Sequence, residues 1–360
     1  MQANGKPSPR RAFAVDARVQ DGLSLLKTAW WSANAAAVRV VNRPPKRQGD
    51  NARPRFTSDN PPPPKGYLQK ILREAFAKDA ADVAAGLYPV SEAGPADPVG
   101  AVRRALDVIA DAREVEDRRR RDDATEARSE AESEAFPAYY RQNFHYQSGG
   151  WFTEDSARRY EAQVEVLFTG AAGPMRRRAL SLLARAWRDR DQRGLKLVDL
   201  ACGSGAFLND LTAAFPRAFV AGLDLSPAYL AEAHRRSGLA TIQAAAERLP
   251  FADESLDGLT CIFLFHELPP RIRKAVAAEM ARVLKPGGVL AFADSVQAED
   301  EPHLARLLEY FPLHFHEPYY TGYQATDLVA LFGAAGLALK DRDQAFLTKA
   351  LLFEKPPRGG

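Results

Sequence analysis

The chain has 360 residues, room for two domains or for one large domain with an extension. Apolar residues make up 46% and charged residues 26%, and 49 Lys/Arg face 46 Asp/Glu for a net charge of +3. That balance excludes a wholly disordered chain, a collagen-like chain and a strongly basic nucleic-acid coat. Two cysteines, Cys202 and Cys261, exclude a disulfide framework and a Cys-rich structural zinc site, and the expected compartment is reducing and cytoplasmic.

In chain order, residues 1–65 read as a basic, Pro-rich arm, partly disordered. Residues 1–56 hold eleven Lys/Arg against three Asp, a local balance of +8 that leaves −5 for the remainder. Pro44-Pro45, Pro54 and the run Pro61 to Pro64 admit neither helix nor central strand. The recurrence of Leu23, Leu26, Trp30, Ala33, Ala37 and Val40 predicts an amphipathic helix within residues 22–41. Such a helix suits packing on its own protein or a peripheral membrane contact. The acid-poor composition reads first as a plain tail, with an anionic-lipid contact or an organelle transit peptide, the latter not favoured, as the alternatives. No run of about 18 or more apolar residues occurs, so no membrane-spanning helix is expected.

Residues 66–154 read as a helical region that ends in an aromatic segment. Leu68, Ile71, Leu72, Phe76 and Val83 predict a helix over 67–85, and Ala, Arg, Glu and Asp dominate a helical stretch at 100–134. Its run Arg118 to Arg121, followed by Asp122 and Asp123, suits a solvated face. Tyr139, Tyr140, Phe144, His145, Tyr146 and Trp151 then crowd one short stretch that Gly149-Gly150 breaks, and Thr153 is placed to cap a helix over 155–168. These rings suit a lid over a site or packing between two parts of the chain.

From about residue 174 the pattern alternates. β-rich runs at 195–200, 217–223, 241–244, 257–264 and 288–293 are separated by helical stretches near 205–215, 226–237 and 270–284. This spacing predicts a parallel sheet covered on both faces. The last runs, 337–341 and 346–353, lie too close for a crossover and predict a terminal antiparallel hairpin. The first run ends in Asp199 and passes through Ala201-Cys202-Gly203-Ser204-Gly205 into a helix, a turn of small residues that lets backbone approach a ligand. Asp224, 19 residues after Gly205 and at the end of the second run, stands where an acid meets a ribose diol in nucleotide-binding α/β folds. No Lys-Ser/Thr follows the turn, so this is not a P-loop, and Asp199 would repel a pyrophosphate but attract an ammonium. A cofactor with an amino-acid head and an adenosine tail fits both acids.

Four segments in order, VDLACGSGAF at 198–207, GLDLSP at 222–227, AAAERLPFADESLDGL at 244–259 and RVLKPGGVLAFAD at 282–294, resemble the class I S-adenosylmethionine-dependent methyltransferases over about residues 155–355. The pieces ERLPF, FHELP and LKPGG look most like the subgroup of ubiquinone/menaquinone C-methyltransferases and other small-molecule enzymes. The resemblance implies a Rossmann-like α/β fold with a seven-stranded, mostly parallel sheet, its last strand antiparallel, behind a helical N-terminal extension. It implies S-adenosylmethionine as cofactor. Asp199, Ala201, Gly203, Ser204 and Gly205 match the motif around the methionine part. Asp224 matches the ribose-binding acid, Leu225 the apolar neighbour of adenine, Ala246 and Glu247 the adenine-edge turn, and Phe263 the strand-four end of the cofactor site. Ala201 stands where the family usually has Gly, and Ala245 where many relatives have Asp.

His266-Glu267 follows the fourth strand at the carboxyl edge of the sheet, where ligands bind, and is the candidate catalytic pair, His266 as a base that is neutral near pH 7. Candidate acceptor contacts are Tyr140, Phe144, Tyr146, Trp151, His314 and Tyr320. The His314-x-His316 pair with Glu317 beside it finds no further ligand at helical or hairpin spacing, so no metal is expected. The expected activity is methyl transfer to a small, apolar or aromatic acceptor. The alternatives are a cofactor-binding scaffold without catalysis and a protein methyltransferase docking through the basic arm. No nucleic-acid partner is expected, because Phe-His-Glu-Leu-Pro replaces the Asn-Pro-Pro-Tyr type of motif after strand four.

Overall fold

The computed structural model describes residues 22, 28–34, 36, 56–89, 98–130 and 136–358. Within the predicted 22–41 stripe, residues 28–34 are helical; Leu23, Leu26, Ala37 and Val40, and with them most of the basic arm, lie outside the described residues. No described helix is long and apolar enough to cross a membrane.

A seven-stranded sheet runs in the order β3-β2-β1-β4-β5-β7-β6. Its strands are β1 (Lys196–Leu200), β2 (Phe219–Asp224), β3 (Ala240–Gln243), β4 (Leu256–Ile262), β5 (Leu284–Ser295), β6 (Ala338–Ala345) and β7 (Thr348–Glu354). The first five pair in parallel, and β7 inserts antiparallel between β5 and β6. The crossovers are α5 (Ala206–Ala214) between β1 and β2, α6 (Pro227–Ser237) between β2 and β3, and α7 (Pro270–Val283) between β4 and β5.

Successive side chains of a strand face opposite sides, and both sides of this sheet are apolar. Leu197 joins Leu208, Leu211 and Leu230 on one face, together with Leu180 and Trp187 of the region around α4 (Ala172–Ala186). Val198 and Leu200 join Val276, Met280 and Phe332 on the other. The chain leaves β1 for β2 and β3 on one side and returns as β4 on the other. The carboxyl ends of β1 and β4 therefore open a crevice at the switch point.

The N-terminal helices close onto this frame. Helix α1 (Tyr67–Ala84) packs on α4 through Asp79, whose two oxygens accept from Arg177 at 2.7 Å each, and through Asp82, 2.9 Å from Arg178. The predicted helix at 100–134 is α2 (Pro98–Arg121) followed by a separate turn at Ala127–Glu130. The break has a local cause: Asp122 is left-handed, and Asp123 accepts both the amide and the hydroxyl of Thr125. The basic run is not a solvated face throughout, because Arg118 turns inward and donates to the Tyr146 carbonyl at 3.0 Å. Helix α3 (Glu154–Leu167) starts at Thr153, whose hydroxyl accepts the Ser156 amide. After β5 come α8 (Ala305–Phe315), α9 (Tyr320–Gln324) and α10 (Leu328–Ala334).

Candidate active site

Two cavities meet at the switch point. The first is lined by the ends of β1, β2 and β4 with Asp199, Ala201, Gly203, Ser204, Asp224, Leu225, Ala246 and Phe263, and is walled by Tyr139, Tyr140, Phe144 and Trp151. Both acids are held rigidly. Asp224 accepts the amides of Gly203 and Ser226 at 2.9 Å, and Asp199 accepts the Thr260 hydroxyl at 2.6 Å. Burial raises both carboxyls, Asp199 to about 7. A ligand bringing positive charge to Asp199 relieves that cost.

The residues fit S-adenosylmethionine. Gly203 is left-handed, and a Cβ built on it meets nothing within 4 Å, so the turn leaves open space beside the acids. Gly205 serves packing instead: a Cβ there would come within 2.8 Å of Ala233, where α5 crosses α6. Ala201 keeps the left-handed backbone, φ +59, without the glycine usual there. Two charged residues that carry no motif also line this cavity. Arg176 pairs with Glu161 at 2.9 and 3.0 Å, and Glu161 accepts the Ser204 hydroxyl. Burial would raise Glu161, but the Arg176 guanidinium overrides it and holds the carboxyl low. Their only signal in the sequence is Arg176-Arg177-Arg178 inside an apolar helix; each of these arginines finds its own carboxylate.

The aromatic segment is fastened over this first cavity. Tyr139 donates to Glu247 at 3.0 Å, Ser226 to the Trp151 carbonyl, and Gln147 to the Tyr229 hydroxyl at 2.9 Å. Glu247 itself does not line the cavity. Tyr140, Phe144 and Trp151, read from sequence as acceptor contacts, stand beside the acids of the first cavity, while Tyr146 is buried away from both cavities with its hydroxyl on Asp122.

The second cavity, about 630 Å³, opens on the other side of Phe263, Tyr160 and Glu267, which line both. Its walls come from distant parts of the chain: Thr28 and Ser32, Leu68 and Leu72 of α1, Val164 and Leu167 of α3, Leu308, Phe311 and Phe315 of α8, and Phe346-Leu347. Polar groups gather at the junction. His266 Nδ1 lies 2.6 Å from Asp294, which also accepts the amides of Phe265, His266 and Ser295. That contact leaves Nε2 turned away from Asp294, 3.9 Å from Glu267. Burial would lower His266, but the Asp294 carboxylate overrides it and raises the ring to about 9, so the ring is cationic rather than neutral near pH 7. Tyr320 bonds Ser295 at 2.6 Å and lines this cavity. His314 stacks on Tyr310 and lines neither cavity, and His316 faces Gln142. Glu317 meets His145 and Glu267 instead, partners 172 and 50 residues away that no local spacing reveals.

The parallel sheet, its switch-point crevice and the paired acids define an α/β fold of the class that binds a nucleoside-containing cofactor at the carboxyl ends of its strands. Residues 197–288 match the family model described as "Methyltransferase domain", which supports the resemblance of the four motif segments to the class I S-adenosylmethionine-dependent methyltransferases. The chain is similar to the phthiotriol/phenolphthiotriol dimycocerosates methyltransferase of Mycobacterium leprae, with 40% identity over 28% of this chain and 38% of that one. It is also similar to the demethylmenaquinone methyltransferase of Beutenbergia cavernae, with 37% identity over 39% of this chain and 55% of that one. A fatty-acid O-methyltransferase of Mycolicibacterium smegmatis is 32% identical over 34% of this chain and 45% of its own length. The chain thus spans about half or less of these relatives' lengths.

Proposed function

We propose that the chain is an S-adenosylmethionine-dependent methyltransferase whose acceptor is a small molecule with a substantial apolar part, seated in the second cavity. The observation that carries this reading is the meeting of the two cavities at Phe263 and Glu267: one is acid-ended and floored by the motif turn, the other is apolar with its polar groups at the junction. When bound, S-adenosylmethionine supplies a sulfonium methyl that needs no further activation, so alignment is the main task left to the protein. Asp224 holds the ribose hydroxyls, Asp199 and Glu161 draw the ammonium, and Arg176 faces the carboxylate. Phe263, stacked on Phe168 at 6.2 Å, forms the partition. Glu267 receives or orients the acceptor's proton, and His266, fixed by Asp294, presents Nε2 beside it.

The names of the three relatives support an acceptor of lipid character, since they carry phthiotriol dimycocerosates, demethylmenaquinone and fatty acid. The test is calorimetry with S-adenosylmethionine, then incubation with the methyl-labelled cofactor and a cell extract. One cofactor per chain and label in the organic-soluble fraction are expected. Absence of binding overturns the enzyme reading. Label only in the aqueous fraction or in protein overturns the acceptor reading and leaves the enzyme reading standing.

A further inference from the structure

We infer that His145, Glu267 and Glu317 form a site for one divalent cation at the polar end of the second cavity. The three residues come from the aromatic segment, from the turn after β4 and from the loop after α8. Each offers one ligand atom, and these atoms all lie within 4.8 Å of one another. His145 Nδ1 is 3.0 Å from Glu317 Oε1, and His145 Nε2 is 3.8 Å from Glu267 Oε1. An ion takes one nitrogen of the ring, and donors about 2.0–2.2 Å from a common ion stand roughly 3–3.6 Å apart. From within 4.8 Å of one another, rotations of the His145 ring and of the two carboxylates close the set.

An independent observation is Glu317 itself. It is 2% exposed, and neither carboxylate oxygen has a hydrogen-bond partner; the His145 ring beside Oε1 is its one ion-pair contact among the described residues. Asp294, in the same corner and equally buried, shows what the fold does with a structural acid: three amides and one imidazole surround it. Glu317 is given no such shell. A buried carboxylate left this bare is stabilised by a positive charge brought beside it, and it shares its corner with His145 and Glu267.

One imidazole with two carboxylates suits Mn2+, Fe2+ or Zn2+ better than the all-oxygen shells of Mg2+ and Ca2+. His145 and Glu267 also line the apolar cavity, so the ion's open positions face it and suit an oxygen of a cavity ligand. The site goes beyond the methyl-transfer reading, and its test uses neither donor nor acceptor, so either can fail alone.

The full chain is stripped with EDTA and dialysed. It is then titrated with Mn2+, with the free ion read by electron paramagnetic resonance, and with Zn2+ by calorimetry. About one ion per chain is expected, and Glu317→Gln and Glu267→Gln each weaken binding at least about tenfold with the fold confirmed by circular dichroism. If Glu317→Gln does not fold, Glu267→Gln decides. Failure of both ions to bind, or wild-type binding by both folded variants, overturns the site and leaves the cluster an internal His145–Glu317 ion pair.

Discussion

The two cavities share Phe263, Tyr160 and Glu267 and are otherwise built on different plans. Most of the polar floor of the first comes from strand ends and turns between Asp199 and Glu267, fixed by the parallel sheet and its two apolar faces, with Glu161 and Arg176 added from α3 and α4. The second draws its wall from Thr28 to Leu347, through helices that lie outside the sheet. Side chains on a rigid sheet edge stay in place when peripheral helices change, while a cavity assembled by those helices changes with every one of them. The first cavity is therefore a property of the fold, and the second a property of this chain.

That contrast makes the largest expected effect a change confined to the first cavity. Asp224→Ala removes the carboxylate that would hold the ribose hydroxyls and also the acceptor of the Gly203 and Ser226 amides. Loss of charge-assisted bonds at about 1.5–3 kcal/mol each, partly replaced by water, weakens cofactor binding by roughly 2–4 kcal/mol. Calorimetry gives the affinity. Wild-type affinity in a folded variant breaks the assignment of the first cavity to the donor.

The reciprocal change is Phe168→Ala. Phe168 lines the second cavity only and backs Phe263. Losing an aromatic wall worth roughly 1.5–3 kcal/mol when fully buried raises the acceptor KM about tenfold, while cofactor affinity stays within about twofold. Parallel losses in both constants would show that the partition is mechanically shared and that the two cavities are not separable.

The same contrast explains what the sequence disclosed. All seven strands lie within a few residues of their predicted spans, because short β-rich runs and turn residues are local signals. Asp199, Gly203 and Asp224 were legible because a strand end followed by a turn fixes their placement. The first cavity still hid Glu161 and Arg176, whose roles depend on how α3 and α4 fold back over the β1 turn. In the second cavity almost nothing was local. His145 reaches Glu317 across 172 residues, and Asp294 recharges His266 from the neighbouring strand. The aromatic stretch shows the limit most clearly: its composition marked a wall, but only the bonds from Tyr139 to Glu247 and from Ser226 to Trp151 decide which cavity it closes.

A pH titration sharpens the donor side further. Burial raises Asp199 to about 7, so in the free protein it is largely protonated below that pH. An ammonium needs the carboxylate form. Protons therefore compete with the cofactor, and affinity falls up to about tenfold per unit as pH drops below 7. Above about 8 the cofactor's own α-amino group loses its proton, so affinity is greatest between about 7 and 8. Asp199→Asn binds more weakly and loses the acid limb. An acid limb that survives in this variant would assign the titration to another group.

The smallest effect concerns Ala201, in the turn directly after β1. Its φ of +59 is a left-handed state that costs an L-residue roughly 1–2 kcal/mol, and its position on the cavity wall explains why the side chain must be small. Ala201→Gly removes that strain but adds about 0.5–1 kcal/mol of unfolded-state entropy, so the two terms nearly cancel with a slight gain. The melting temperature is expected to rise by no more than about 3 °C, with cofactor affinity unchanged within about threefold. Ala201→Val separates backbone from space, because a β-branched residue is poorly tolerated at this φ and its methyls enter the cavity. It should lower both stability and cofactor affinity while the acceptor cavity, on the far side of Phe263, keeps its shape. If Ala201→Gly instead costs tenfold in affinity at an unchanged melting temperature, the alanine methyl is itself a contact surface for the cofactor, and the turn is tuned by its side chain rather than by its backbone.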